Sequence, residues 1–230
     1  MGTARRAPTV FFMIYLNQIT KRYPSGQEAL AQVTMQLDQG EMAFLTGHSG
    51  AGKSTLLKLI ALLEQPSAGE VVVNGCNLSR VKKNRVPHFR RQFGLIFQTP
   101  YLLSGQTIFE NVSIPLIISG FRRKEISSRV HAALDKVGLL NKEKLFPEML
   151  STGEQQRVGI ARAIVSRPSI ILADEPTGNL DPELSKEIME LFAQFNQVGT
   201  TILIATHDIN LICEMPYRIL TLNEGRLPND

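Results

Sequence analysis

The chain has 230 residues, of which 43% are hydrophobic and 20% charged, with a formal net charge of +4 and a mean hydropathy of −0.03. That length suits one α/β domain, or a core with a smaller subdomain, and buries a real core easily. The mild charge makes no case for nucleic acid as a partner, no stretch approaches the roughly 20 apolar residues that span a bilayer, and two cysteines far apart, Cys76 and Cys213, point to a reducing compartment without a metal site.

Arg5 and Arg6 before Val10-Phe11-Phe12-Met13-Ile14 resemble the start of a signal peptide, but no A-x-A site follows and the run leads into strand-like sequence. Residues 1–12 therefore read as an upstream extension or tag remnant. Met13 to Lys21 predicts a first strand, Tyr23-Pro24-Ser25-Gly26 a turn, and Ala29 to Leu37 a second strand. Asp38-Gln39-Gly40 turns the chain into the β-favouring run Glu41 to Thr46. A helix-forming run, Thr55 to Leu63, stops near Pro66.

Glu70 to Gly75 predicts a short strand ending in a hairpin. Arg80 to Arg91 is rich in lysine and arginine and reads as a solvated helical face, or as contact with a membrane protein's loops or lipid head groups. Phe93 to Gln98 is another core strand. From Thr107 to Arg167 the pattern is helical, with Ile126, Val130, Leu134 and Val137 on one stripe closed by Gly138. This block is too long for an ordinary crossover and reads as a helical subdomain of about 107–167, inserted in a core of 13–106 and 168–230. Ser169 to Ala173 and Thr200 to Ala205 are buried-strand runs. Between them Leu184, Ile188, Leu191, Phe192 and Phe195 form one helix face, and Asp208 to Glu214 and Arg218 to Leu222 give a last helix and strand. Strands alternating with helices imply a parallel sheet with its ligand at the carboxyl ends of the strands. The first strands add an antiparallel β subdomain.

Between the strand Glu41 to Thr46 and the following helix lies Gly47-His48-Ser49-Gly50-Ala51-Gly52-Lys53-Ser54, which fits the P-loop pattern at every fixed position. Glycines let backbone N–H groups curl around phosphate oxygens, and the new helix points its positive end at them. Gly47 through Ser54, with Thr55 beside them, are the expected nucleotide contacts. Lys53 would reach the β- and γ-phosphates, and the Ser54 hydroxyl would ligate Mg²⁺. Ile170 to Glu175 is an apolar strand ending in two carboxylates. Asp174 would hold the hydrated Mg²⁺, and Glu175 would polarise the attacking water. Leu150-Ser151-Thr152-Gly153-Glu154-Gln155-Gln156 contains a capping box, Ser151 with Glu154, opening a helix to Ser166. A capped helix N-terminus is also an anion site.

With these three motifs in order, the chain resembles the ATP-binding cassette (ABC) ATPases, whose signature is LSGGQ, over nearly all of residues 13–227. The resemblance implies a P-loop NTPase fold, ATP hydrolysis, and a head-to-tail homodimer closing on two ATP. Ser151, Gly153 and Glu154 of one subunit would then complete the other's site. By resemblance, Tyr23 stacks on adenine, Gln98 touches Mg²⁺ and the attacking water, Asp181 bridges subunits, and His207 contacts the γ-phosphate. His48 has no catalytic role beyond its place in the loop. Thr152 departs from the signature by occupying a glycine position, which would slow hydrolysis or weaken the closed dimer. Asp174 to Asp181 looks like the subgroup containing lipoprotein-release, macrolide-export and cell-division ATPases, nearest its division members. That implies an integral membrane partner, the division machinery, and a peripheral place on the cytoplasmic face of the inner membrane at the septum. Two alternatives stay open: an exporter ATPase, and an ATP-gated scaffold whose hydrolysis is incidental.

Overall fold

The computed structural model describes residues 12–228, so the expected extension over 1–12 lies, apart from Phe12, outside the described residues. The first part of the chain forms β1 (Phe12–Arg22), β2 (Glu28–Asp38), β3 (Met42–Thr46), α1 (Lys53–Ile60), β4 (Ala68–Val73) and β5 (Cys76–Asn77). Then come α2 (Val86–Arg90), β6 (Phe93–Ile96), α3 (Ile108–Ile118), α4 (Arg123–Lys136) and α5 (Thr152–Ile164). Next are β7 (Ile170–Asp174), α6 (Pro182–Gln197), β8 (Thr201–Ala205), α7 (Ile209–Cys213) and β9 (Arg218–Thr221).

These strands make two sheets. One is antiparallel, in the order β2-β1-β4-β5, and the other runs β6-β7-β8-β3-β9 with every pairing parallel. The central parallel strands are apolar on both sides because both faces are covered. Alternation divides them between two cores. Ala43, Leu45, Ile170, Leu172, Leu203 and Ala205 pack toward α1 and the antiparallel sheet. Met42, Phe44, Ile171, Ala173, Ile202 and Ile204 pack toward residues of α3, α4, α5 and α6.

Register then decides where the functional loops emerge. Ala205 pairs with both Leu45 and Asp174, and Ile96 pairs with Ala173, so β3, β6, β7 and β8 end nearly level. The loops after these four strands leave the sheet at one edge, bringing together segments up to about 160 residues apart in the chain.

The helical block keeps the stripe expected of it on α4 and adds a capping box at its start. Thr107 and Glu110 form a capping box at α3, and Val130 and Leu134 of α4 are buried while Ile126 packs against the same core. Gly138 lies just past α4 with φ 67°. Two expectations need correction. Arg80 to Arg91 is not one helix, because tight turns at Leu78–Arg80 and Lys83–Arg85 precede the five-residue α2. Pro87 explains this, since proline suits the first turn of a helix and removes a hydrogen bond from its interior. Gln98 does not end its strand: β6 stops at Ile96, leaving Gln98 in the loop beyond.

Candidate active site

The P-loop follows directly from β3 and ends in α1. Its first glycine is demanded by space as well as conformation. A Cβ at Gly47, where φ is 145°, would stand 2.2 Å from the Leu222 carbonyl oxygen. Gly50, at φ 81°, has nothing within 4 Å of such an atom, so only its backbone conformation asks for glycine there. Lys53 is 8% exposed and donates to the carbonyl oxygens of Gly47 (2.7 Å) and His48 (3.2 Å).

Ser49 through Thr55 line a cleft of about 600 Å³ together with Tyr23, Gln27, Ala29, Gln98, Asp174, Glu175 and His207. The structure thus gathers the expected P-loop, Tyr23, Gln98, both carboxylates and the histidine in one cavity. Gly47 and His48 do not line it, and the His48 ring instead pairs with the Ser49 carbonyl at 2.8 Å.

The two carboxylates behave differently. Burial pushes the Asp174 carboxyl above its usual range. A hydrogen bond with Ser54 opposes that shift, repulsion from Glu175 adds to it, and Lys53 and Lys58 pull it back. Glu175 has left-handed backbone, φ 50°, unusual for a residue with a side chain and a form of strain found at functional sites. Its amide is fixed by the Ala205 carbonyl at 2.9 Å. One carboxylate oxygen lies 2.8 Å from His207 Nδ1, and the other accepts from the His207 amide at 3.4 Å. The histidine side chain is 69% exposed and the glutamate 12%, so the ring orients a sheltered carboxylate at the cavity wall.

Tyr23 sits in a network that its sequence neighbourhood does not reveal. Its hydroxyl pairs with Thr55 Oγ1 (3.3 Å) and donates to Glu64 (3.2 Å). Lys21 is 2.8 Å from Glu64 and 5.1 Å from the tyrosine ring centroid. The hydrogen bond from Lys21 holds the Glu64 carboxyl below its ordinary value. Gln27 and Ala29 also line the cleft, and no motif in the sequence marks them. Their signal was topological, since the turn Tyr23 to Gly26 folds β2 back beside the P-loop.

Ser151, Gly153, Glu154 and Asp181 do not line this cleft. Ser151 caps α5 in the expected box with Glu154. The Glu154 carboxylate also pairs with Lys142, which with the Ser151 amide pulls its pKa down. It is therefore turned to its own chain, where it orients Ser151. A Cβ on Gly153 would meet Leu180 and the Asn179 carbonyl at 3.2 and 3.3 Å, so this stretch packs on the loop ending in Asp181, which caps α6. Thr152 is the first residue of α5, exposed and with negative φ. Its side chain strains no backbone within the chain. The same helix holds the loop after Gln98: Gln156 donates to the Phe97 carbonyl at 3.2 Å, and Arg162 donates to the carbonyls of Pro100 and Tyr101.

Comparison with known proteins agrees with this geometry. A family profile described as "ABC transporter" matches residues 30–178. The "Cell division ATP-binding protein FtsE" of Escherichia coli (strain K12) is 58% identical over 215 residues, covering 94% of this chain and 97% of that protein. The Bacillus subtilis (strain 168) protein of the same name is 41% identical over 218 residues, 95% of this chain and 96% of its own. Among solved structures, that of the dimeric bacterial ABC transporter cassette MJ0796 superposes with a TM-score of 0.89 at 36% identity, covering 94% and 97% of the two chains. Its post-hydrolysis state bound to ADP and Pi scores 0.89 at 35% identity with the same coverage. The parallel sheet, the phosphate loop and the paired carboxylates therefore belong to an ATPase, and this chain is a member of the ABC transporter family.

Proposed function

We propose that this chain is the ATP-hydrolysing subunit of a membrane-coupled complex in bacterial cell division. In it, ATP-driven dimer closure is transmitted through an FtsX-like membrane partner to regulate septal cell-wall hydrolysis. The observation that carries this reading is the extent of the likeness to FtsE proteins, which runs over 94% of the chain rather than over the shared motifs alone.

The chemistry follows from residues of this chain. Lys53 would exchange its bonds to the Gly47 and His48 carbonyls for phosphate oxygens. The Ser49 to Ser54 backbone would cradle the same group, and Tyr23 would offer its ring to the base. Glu175, oriented by His207, would take a proton from the attacking water as the water oxygen bonds to the γ-phosphorus. The bond between that phosphorus and the β–γ bridging oxygen then breaks, releasing ADP.

The residues at Ser54 and Asp174 fit a hydrated Mg²⁺. Asp174 is a carboxyl whose ionised form is disfavoured by burial and by Glu175, the environment a dication relieves. No group of three His, Cys, Asp or Glu among the described residues could hold a metal by itself. Mg²⁺ would therefore arrive with ATP, sharing its oxygens and water with one or two protein ligands. When bound it neutralises phosphate charge. Ser151 and Gly153 stand outside the cleft, which suits a reading in which a second copy supplies them and ATP joins a head-to-tail dimer.

The test is copurification of the tagged chain from detergent-solubilised membranes. Recovery of an FtsX-type membrane protein supports the proposal, and recovery of a lipoprotein-release or macrolide permease in its place sinks it.

A further inference from the structure

Between Glu70 and Glu110 the chain has no aspartate or glutamate, yet it carries Arg80, Lys82, Lys83, Arg85, Arg90 and Arg91. Without those six, 19 of the 25 basic residues face 21 acidic ones, so the remainder is net −2. This one segment makes the protein cationic.

The structure shows what the segment presents. Arg80, Lys82, Lys83, Arg85 and Arg91 are exposed, and no ion pair among the described residues includes them. The nearby Glu70 is taken by the Asn77 amide. Val81, Val86 and Phe89 pack on the core, Phe89 against Phe93, and Arg90 donates to the Leu62 carbonyl at 2.7 Å. The backbone is thus anchored while the cationic heads stay free. A concavity of about 650 Å³ opens among Arg80, Lys82, Arg85 and His88. It precedes the amino end of the edge strand β6, whereas Gln98 and the nucleotide cleft lie past the carboxyl end of that strand. The patch is therefore an anion surface separate from the ATP site.

We propose that this patch binds the phosphates of anionic phospholipids and holds the ATPase on the bilayer independently of any protein partner. A single-stranded nucleic acid would want a row of exposed aromatic rings to stack on, whereas Phe89, the one Phe, Tyr or Trp between Arg80 and Arg91, packs edge-on against Phe93 and leaves only the His88 ring exposed. Val81 and Phe89 line the concavity but are half-buried against the core, so what projects from this face is the row of unpaired cations rather than an apolar seat for a peptide. A fluid anionic surface needs only clustered, unpaired cations, each worth about fivefold in partitioning near the membrane. No described helix is long and apolar enough to cross the membrane.

The experiment is flotation of the full-length protein with vesicles of phosphatidylcholine alone or with added phosphatidylglycerol, at low and high salt. Binding is expected only to the anionic vesicles and is expected to fall with salt. The triple variant K82Q/K83Q/R85Q should partition about a hundredfold more weakly, with its ATPase rate and melting temperature unchanged. Failure to float with anionic vesicles, equal flotation with neutral ones, or wild-type flotation of the triple variant overturns the proposal. Flotation only with vesicles carrying a reconstituted membrane protein also overturns it, and assigns the patch to an acidic protein segment.

Discussion

Gly47 and Gly50 sit three residues apart in one loop, yet they should fail in opposite ways when replaced by alanine. At Gly47 the new Cβ would lie 2.2 Å from the Leu222 carbonyl oxygen and 3.2 Å from the Ala51 Cβ. Restoring an ordinary carbon–oxygen contact of about 3.3 Å needs about 1 Å of movement. The chain at Leu222 resists, being fully buried and bonded through its amide to the Thr46 carbonyl at 2.8 Å. Overpacking of this kind costs about 1–3 kcal/mol and the disallowed φ about as much again. A loss of about 4 kcal/mol lowers the melting temperature of a domain this size by about 8–16 °C. Gly50→Ala meets no atom within 4 Å and incurs only left-handed strain of about 1–2 kcal/mol. Gly50 does line the cleft, so its methyl group would intrude where phosphate binds and weaken ATP affinity by about tenfold, one lost hydrogen bond. Thermal melts without nucleotide, followed by ATP titration, read both effects. If Gly47→Ala melts with the wild type, or Gly50→Ala proves the less stable variant, the packing argument is wrong.

Asp174→Asn should stabilise the nucleotide-free protein at neutral pH while cutting turnover. Because burial raises the folded-state pKa of Asp174, the contribution of this one carboxyl to wild-type stability is fully present below the unfolded value and is lost as pH rises through the folded one. The gap between variant and wild-type melting temperatures should therefore open with rising pH, and a constant gap from acid to neutral refutes the assignment. Glu175→Gln should bind ATP but turn over about 10²–10⁴-fold more slowly. If cells dependent on it divide normally, hydrolysis is incidental and the scaffold reading replaces the proposed one. Thr152→Gly should leave the monomer's melting temperature within about 2 °C, as for an exposed position, while ATP-dependent dimerisation, followed by sizing chromatography, becomes stronger. Unchanged dimerisation and ATPase rate would clear Thr152 of any role.

Local patterns in the sequence already specified much of this molecule. The glycine-loop pattern, the capping box at Ser151, the stripe Ile126 to Val137 and the strand runs all depend on neighbours a few residues apart, and periodicity reports such neighbours directly. The family-level identity was legible for the same reason, since its motifs are short and contiguous. What the tertiary structure decided concerns separated residues. Only the pairing of Ala205 with both Leu45 and Asp174 brings His207 onto Glu175. Only the fold of β1 against β2 sets Tyr23 between Thr55, Glu64 and Lys21. The division of labour in the P-loop, with Gly47 held by space and Gly50 by conformation, depends on Leu222, which lies 175 positions from Gly47 in the chain. Chain connectivity records spacing along one dimension. Which side chain ends within 3 Å of another is set by sheet register and core packing, and these are properties of the whole chain at once.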